Sequence, residues 1–142
     1  MKASPLLLAL NLPLAAMFAL FAWFQRNDID PAIYYHPSVI DAALWFTFYL
    51  LIAVLFVVVC FRRVPKILLI VAVVACLAEM GLSAPGLYEN LFRSESFTMT
   101  QVSMSADDPR VEQTREFFGA LIALLGVGLL AWQNRRFVRA YA

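Results

Sequence analysis

Acidic side chains and one histidine are the residues in this sequence whose chemistry suits binding a cation or moving a proton. They are Asp28, Asp30, Glu79, Glu112 and Glu116, with His36. Carboxylate oxygens and imidazole nitrogens are ligands for divalent cations. Their spacing is not that of a specific metal site, because there is no HxxxH or HxxE and no complete calcium loop. We therefore predict no metal site and no cofactor.

Glu79 is the carboxylate expected to lie inside an apolar helix. It stands about four residues from the predicted end of that helix, which is about 6 Å at the helical rise. A carboxylate at membrane depth is costly unless it is protonated, paired or facing water, so it is a functional candidate. The alternative is a structural residue that reaches the headgroups or pairs with Arg26 or Arg115. The position near the interface favours this second interpretation.

Covalent and redox catalysis have no support in the remaining residues. No serine stands in a nucleophile elbow. Cys60 and Cys76 lie within apolar runs, without a CxxC motif or a paired histidine, and at depths that differ too much for a disulfide. We interpret both as small buried residues. An enzyme is therefore less expected than a non-catalytic protein.

Long apolar segments must position the acidic residues. The chain has 142 residues, of which 63% are hydrophobic and 15% charged, and this balance is far from that of a soluble domain. Segments long enough to cross a bilayer lie at about 5–24, 40–61, 66–82 and 109–134. The first is interpreted as a retained helix because no A-x-A cleavage site follows it. The sequence predicts one all-α membrane domain, a four-helix bundle with outer loops 25–39 and 83–108.

The connections between these segments contain residues that predict turns and helix boundaries. Only Arg62-Arg63-Val64-Pro65 separates the second segment from the third, which predicts antiparallel neighbouring helices. In the second outer loop, residues 87–92 are expected to form a short interfacial helix. Asp108 followed by Pro109 predicts the start of the fourth helix, with an N-cap carboxylate and a proline at the first position.

Basic residues predict the orientation in the membrane. One side carries cations without carboxylates: Lys2, Arg62, Arg63, Lys66, Arg135, Arg136 and Arg139. The other side holds the acidic residues. The positive-inside rule then places both termini in the cytoplasm. Helical rather than barrel spans indicate a cytoplasmic membrane, which we expect to be a bacterial inner membrane.

Small residues mark one face on each of three predicted helices. They are Ala15, Ala19 and Ala22 on the first, Ala72 and Cys76 on the third, and Gly119, Ala123 and Gly126 on the fourth. Small side chains let membrane helices approach closely, so these faces predict a packing seam. The seam is expected to turn Arg26, Glu79 and Glu116 toward one another.

Two short motifs resemble those of the transmembrane protein 220 family. Asn27-Asp28-Ile29-Asp30 follows the first helix, where that family carries Asn-Asp-Pro-Asp with an aromatic residue a few positions later. Residues 115–119, Arg-Glu-Phe-Phe-Gly, resemble its Arg-Glu-x-x-Gly at the start of a late helix. Ile29 replaces the usual proline, and the second outer loop is longer. The resemblance implies a multi-spanning protein whose characteristic residues are Asn27, Asp28, Asp30, Arg115, Glu116 and Gly119. It brings no established reaction.

The motif residues and the acidic residues together form a predicted outer polar cluster. Its members are Arg26, Asn27, Asp28, Asp30, His36, Glu79, Glu112, Arg115 and Glu116. A polar clasp is expected, in which Asp28 or Glu116 pairs with Arg26 or Arg115 and joins the first helix to the last. Such pairs fix helix register.

The leading functional hypothesis is a non-catalytic accessory or assembly subunit of a larger inner-membrane complex. The alternative is a small transporter or membrane enzyme whose acidic outer pocket binds a cation or a proton. Expected partners are membrane lipid and other integral membrane subunits. Nucleic acid is not expected, because the net charge is only +1 and there is no basic run with interleaved aromatic residues.

Overall fold

The structure, a computed structural model, describes residues 5–93 and 95–140, with side chains up to residue 135. Lys2 and the side chains of Arg136 and Arg139, which contribute to the predicted orientation, lie outside this description. All regular structure in the described ranges is helical. Four helices are long and apolar enough to cross a membrane. The prediction of an all-α protein with four membrane-spanning helices is therefore confirmed.

The four helices run in alternating directions. They are α1 (Pro5–Phe24), α2 (Val39–Val58), α3 (Lys66–Phe92) and α4 (Arg110–Ala140). Single 3-10 turns follow α1 (Gln25–Asn27) and precede α4 (Gln101–Ser103). Residues 25–38, 93 and 95–109 share one end of the bundle, which we call the acidic end. The short turn of residues 59–65 lies at the opposite end, which we call the basic end.

Side-chain caps explain where two of these helices begin. The hydroxyl of Ser38 accepts hydrogen bonds from the backbone N–H groups of Ile40 and Asp41, at 3.2 and 3.4 Å. Asp108 accepts one from the backbone N–H of Arg110 at 3.3 Å. Both caps satisfy amide groups that a helix N-terminus leaves without an internal partner.

The third helix is longer than its apolar stretch predicted. The expected end near residue 82 was wrong, because α3 continues to Phe92 and residues 87–92 are its last turns rather than a separate interfacial helix. The reason is continued packing on α4. Ser83, Gly86 and Asn90 are buried along one face, and Asn90 donates to the hydroxyl of Thr114 at 3.0 Å. The second loop therefore shortens to residues 93–109.

Packing joins the helices as two hairpins rather than as a continuous ring. The close pairs are α1 with α2 and α3 with α4, and a smaller contact between α2 and α4 joins the two hairpins. The backbones of α2 and α3 approach each other less closely than those within each hairpin, although their side chains share one core cluster. Each of these two helices instead packs most closely on the helix to which a longer loop connects it, α2 on α1 and α3 on α4.

Phe18 is the centre of the contact between the hairpins. It is fully buried, and its ring stacks on that of Phe56 with centroids 5.7 Å apart and planes 12° apart. Gly126 of α4 lies against the same ring, since a Cβ atom at that position would stand 3.0 Å from it. The absence of a side chain at Gly126 thus allows α4 to approach α1 and α2 closely.

Buried amides close the basic end. Asn11 and Gln133 exchange two hydrogen bonds, at 3.0 and 2.9 Å, and so connect α1 to α4. Asn134 donates to the backbone carbonyl of Val64 at 2.9 Å and accepts from its N–H at 3.0 Å. These pairs satisfy polar groups that would otherwise be costly in an apolar environment.

Most of the small residues predicted for the seam lie inside the bundle. Ala15, Ala22, Ala72, Cys76 and Ala123 are buried, whereas Gly119 and Gly126 are partly buried against aromatic rings. Ala19 is exposed instead, because α1 turns that side chain away from α4. Both cysteines are buried free thiols.

The Phe18 contact predicts different effects for two glycines on α4. Leucine at Gly126 would overlap the Phe18 ring, whereas nothing lies within 4 Å of a Cβ atom at Gly128. Both substitutions gain the same helix propensity. We expect Gly126→Leu to be less stable than Gly128→Leu by about 1–3 kcal/mol, as overpacking typically costs. Unfolding by SDS in mixed micelles measures the difference, and equal stabilities would contradict the packing described.

Candidate functional site

A cavity of about 800 Å³ opens at the acidic end. Its walls are the ends of α1, α2 and α4, with the two loops of that end completing it. Among the described residues, four carboxylates line it, those of Asp28, Asp41, Glu112 and Glu116, against the single guanidinium of Arg115. The cavity therefore carries an excess of groups that are negative when ionised.

The first loop is held against α4 by a carboxylate. Glu112, in the first turns of α4, accepts a hydrogen bond from the backbone N–H of Tyr35 at 2.8 Å. Tyr34 turns its hydroxyl inward and donates to Asp28 at 2.6 Å. His36 follows with a positive φ of 49°, in the left-handed region. These contacts bring Asp28 and His36 to the same cavity as α4.

Burial controls protonation in this first loop. It raises the pKa of Asp28, while the Tyr34 hydroxyl and the positive charge of Arg115 act in the opposite direction. Burial and the bond to Asp28 also raise the pKa of Tyr34. The phenol consequently stays protonated at neutral pH and remains a hydrogen-bond donor.

Tyr49 enters the cavity from the buried side. Its side chain packs on Trp45 and Phe21, and only 4% of the residue is exposed. The hydroxyl lies against Gly119, where any side chain would collide with it. The glycine of the Arg-Glu-x-x-Gly motif thus provides the space for Tyr49.

Arg110 fixes the second loop. It is buried, and its guanidinium donates to Asp108 at 2.9 Å, to the side chain of Asn90 at 3.1 Å and to the backbone carbonyl of Ser96 at 3.4 Å. It also pairs with Glu95. Because Asn90 belongs to α3, this network ties the start of the loop, the end of α3 and the start of α4 together.

Six of the nine residues predicted for the outer polar cluster line the cavity. They are Asn27, Asp28, His36, Glu112, Arg115 and Glu116. The other three lie elsewhere. Arg26 stacks on the Trp23 ring at 3.2 Å, and Asp30 accepts from the backbone N–H of Ala32 at 2.9 Å. Glu79 is on α3, none of whose residues lines the cavity.

A polar contact links the first loop to α4, but it is not one of the ion pairs predicted for the clasp. Within residues 5–93 and 95–140, the ion pairs join Arg93 to Glu89 and Asp108, and Arg110 to Glu95 and Asp108; none involves Arg26 or Arg115. Arg115 donates instead to the sulfur of Met104 at 3.4 Å. The link between the first loop and α4 is the neutral backbone group of Tyr35 bonded to Glu112, because the loop folds over α4 and brings an amide to that carboxylate.

Asp41, Trp45 and Tyr49 line the cavity but were absent from the predicted cluster. They stand at four-residue spacing on one face of α2, directly after the Ser38 cap. An acidic residue followed by two aromatic residues at that spacing is a signal that the sequence contains. It indicates a single helix face that starts polar and continues aromatic.

Arg110 and Arg93 allow the loop network to be tested with a matched pair. Both contact Asp108, but the Arg110 side chain is 8% exposed and that of Arg93 is 51% exposed. We expect Arg110→Met to lower the free energy of unfolding by about 1.5–3 kcal/mol, as for hydrogen bonds to a charged group. Arg93→Met should cost less than about 1 kcal/mol, as at exposed ion pairs. Unfolding midpoints in micelles measure both, and a larger loss for Arg93→Met would refute this assignment.

Comparison with known proteins gives a family and nothing closer. No curated protein and no solved structure shows significant similarity to this chain. Residues 17–132 match the family described as Transmembrane family 220, helix. The match includes both motifs, the Ser38 cap and all four carboxylates of the cavity. It confirms the resemblance drawn from those motifs: the chain belongs to transmembrane family 220.

Proposed function

We propose that this protein binds a cation in the cavity at the acidic end, as a small membrane transporter or a related binding protein would. The observation that carries the proposal is the set of four carboxylates around one cavity with a single guanidinium. Acidic groups with low-dielectric walls concentrate a negative potential and attract positively charged solutes.

Hydrogen bonding separates these four carboxylates into two pairs. Asp28 and Glu112 are bonded to Tyr34 and to the Tyr35 backbone. The Asp41 and Glu116 carboxylates accept no hydrogen bond from the part of the chain that the structure describes. The first pair therefore shapes the cavity, and the second pair is available to a ligand.

A stabilisation assay with the purified protein in detergent tests cation binding. A ligand that binds only the folded state raises stability by about 2.7 kcal/mol at 100 times its Kd. We expect at least one member of a panel of sodium, potassium, calcium and protonated amines to raise the thermal midpoint. Glu116→Gln should remove this gain.

The matched control is Glu89→Gln, which removes an exposed carboxylate outside the cavity and should leave the gain intact. If no cation stabilises the wild type, or if Glu116→Gln responds as the wild type does, the proposal is wrong.

The proposed location is a bacterial inner membrane, with both termini cytoplasmic and the cavity facing outward. The cations at the basic end support this orientation through the positive-inside rule. Because both native cysteines are buried, a cysteine introduced at the exposed Asp107 should be labelled by an impermeant maleimide in intact cells. Labelling only after lysis would show that the acidic end faces the cytoplasm and would contradict the proposed orientation.

A second candidate is a non-catalytic accessory or assembly subunit of a larger inner-membrane complex. The observation that favours it is a shallow apolar groove on the α1–α2 face, which contains the exposed Ala19. Its lining is entirely alanine and valine: Ala15, Ala16, Ala19, Ala53, Val54, Val57 and Val58. Such small side chains allow close approach by a helix of another subunit.

Copurification in mild detergent tests the subunit candidate. A partner that docks in the groove should be recovered at constant stoichiometry with the wild type, and Ala19→Leu should reduce that recovery by filling the groove. Ala78→Leu makes the same change at an exposed position on α3 and should have no effect. Equal recovery with both variants would exclude the groove as the docking site.

A further inference from the structure

The chemistry of the cavity identifies a class of cation, and Tyr49 supplies the first argument. Its side chain is almost fully buried, yet its hydroxyl has no hydrogen-bond partner within the described ranges and lines the cavity. The hydroxyl oxygen is not itself enclosed, because no fully buried side-chain nitrogen or oxygen atom in the described ranges lacks a hydrogen-bond partner. The oxygen of Tyr49 is therefore positioned to bond a group that enters the cavity.

Aromatic surface beside that hydroxyl supplies the second argument. The rings of Trp45 and Tyr49 are stacked with centroids 5.4 Å apart and planes 28° apart, and Phe21 meets Tyr49 edge-on at 5.5 Å. All three line the cavity. Flat rings of this kind bind apolar and aromatic bodies, and their faces attract ammonium groups.

The arrangement of the acidic groups supplies the third argument. In the described part of the chain, no three histidine, cysteine, aspartate or glutamate side chains come together in a way that could hold a metal ion. Asp41 and Glu116 remain as acceptors without donors. A ligand with several N–H donors and a positive charge satisfies such acceptors better than a bare ion does.

The volume agrees with an organic ligand. About 800 Å³ is within the roughly 300–1,000 Å³ that small-molecule sites occupy, and it greatly exceeds the space that one inorganic ion needs.

We propose that the cavity binds a primary ammonium ion carrying an aromatic group, with the ammonium between Glu116 and Asp41 and the ring against Trp45 and Tyr49. This inference rests on the proposed function, since it names the class of cation that the same cavity takes. The Tyr49 hydroxyl accepts one N–H, and the two carboxylates accept the others.

Calorimetric titration of the full chain in detergent tests this assignment, with 2-phenylethylammonium as the probe. 2-Phenylethanol lacks the charge, methylammonium lacks the ring, and the N,N,N-trimethyl derivative of the probe lacks the N–H donors. We expect the probe to bind at least tenfold more tightly than each of these three. Equal or tighter binding by any of them overturns the assignment.

Variants locate the binding within the cavity. Glu116→Gln should weaken binding of the probe about tenfold or more, as loss of a charge-assisted hydrogen bond does. Tyr49→Phe keeps the ring and removes the hydroxyl, and should weaken binding about two- to tenfold.

Two matched controls lie outside the cavity, Asp107→Asn and Tyr88→Phe, both at exposed positions. They should bind the probe as the wild type does. If they weaken it as much as the cavity variants do, the probe is not in the cavity.

The result also separates this inference from the broader proposal. Stabilisation by an inorganic cation that depends on Glu116, without preferential binding of 2-phenylethylammonium, refutes the aromatic amine and leaves the cation-binding function standing. If no cation of either kind binds in a way that depends on Glu116, both are wrong.

Discussion

The apolar surroundings of a membrane require every buried polar group to find its partner within the protein, and this requirement organises the whole molecule. The core around Phe18, Phe56 and Val127 is apolar. Buried polar side chains are concentrated at its two ends, where Asn11 pairs with Gln133 and Arg110 collects its acceptors. The bundle is thus closed at both ends by hydrogen bonds and joined in the middle by close packing.

The cavity differs from the rest of the protein in how its polar side chains are hydrogen-bonded. At the basic end, the buried amides are paired with one another or with the backbone. At the acidic end, Asp28 and Glu112 are also bonded, while the side chains of Tyr49, Asp41 and Glu116 line the cavity without a hydrogen bond to the described residues. A structure that satisfies its polar groups elsewhere leaves these acceptors to a ligand. This contrast within one molecule is the basis of the functional proposals.

The sequence predicted the elements well because its strongest signal is hydropathy. Four spans follow from the length of apolar runs alone, and the start of α4 has the Asp108 cap that the sequence predicted. The end of α3 could not be predicted in the same way. Residues 83–92 are too polar to count as a span, and they stay helical because Asn90 finds its partners on α4 and in the second loop. Those partners are remote in the sequence.

The site was predicted only in part, because its residues come from several helices that are remote from one another in the sequence. Asp28, Glu112 and Glu116 stand next to motifs and could be recognised by residue type. The exclusion of Glu79 from the cavity lining could not be predicted in this way. No residue of α3 lines the cavity, although the Glu79 carboxylate still interacts electrostatically with those of Asp41 and Glu116. Periodicity on a single helix shows which residues share a face, but it does not show which helix that face meets.

The unequal lengths of the two hairpins also determine how the protein sits in a bilayer. Helices α1 and α2 each have 20 residues, which is about 30 Å and matches the hydrocarbon thickness. With 27 residues, α3 reaches about 40 Å. The shorter hairpin therefore fixes the depth, and the longer one carries its excess turns into the headgroup layer. Because the cavity lies among the ends of α1, α2 and α4, this depth places its opening at the level of the headgroups, where a solute meets the protein at the membrane surface.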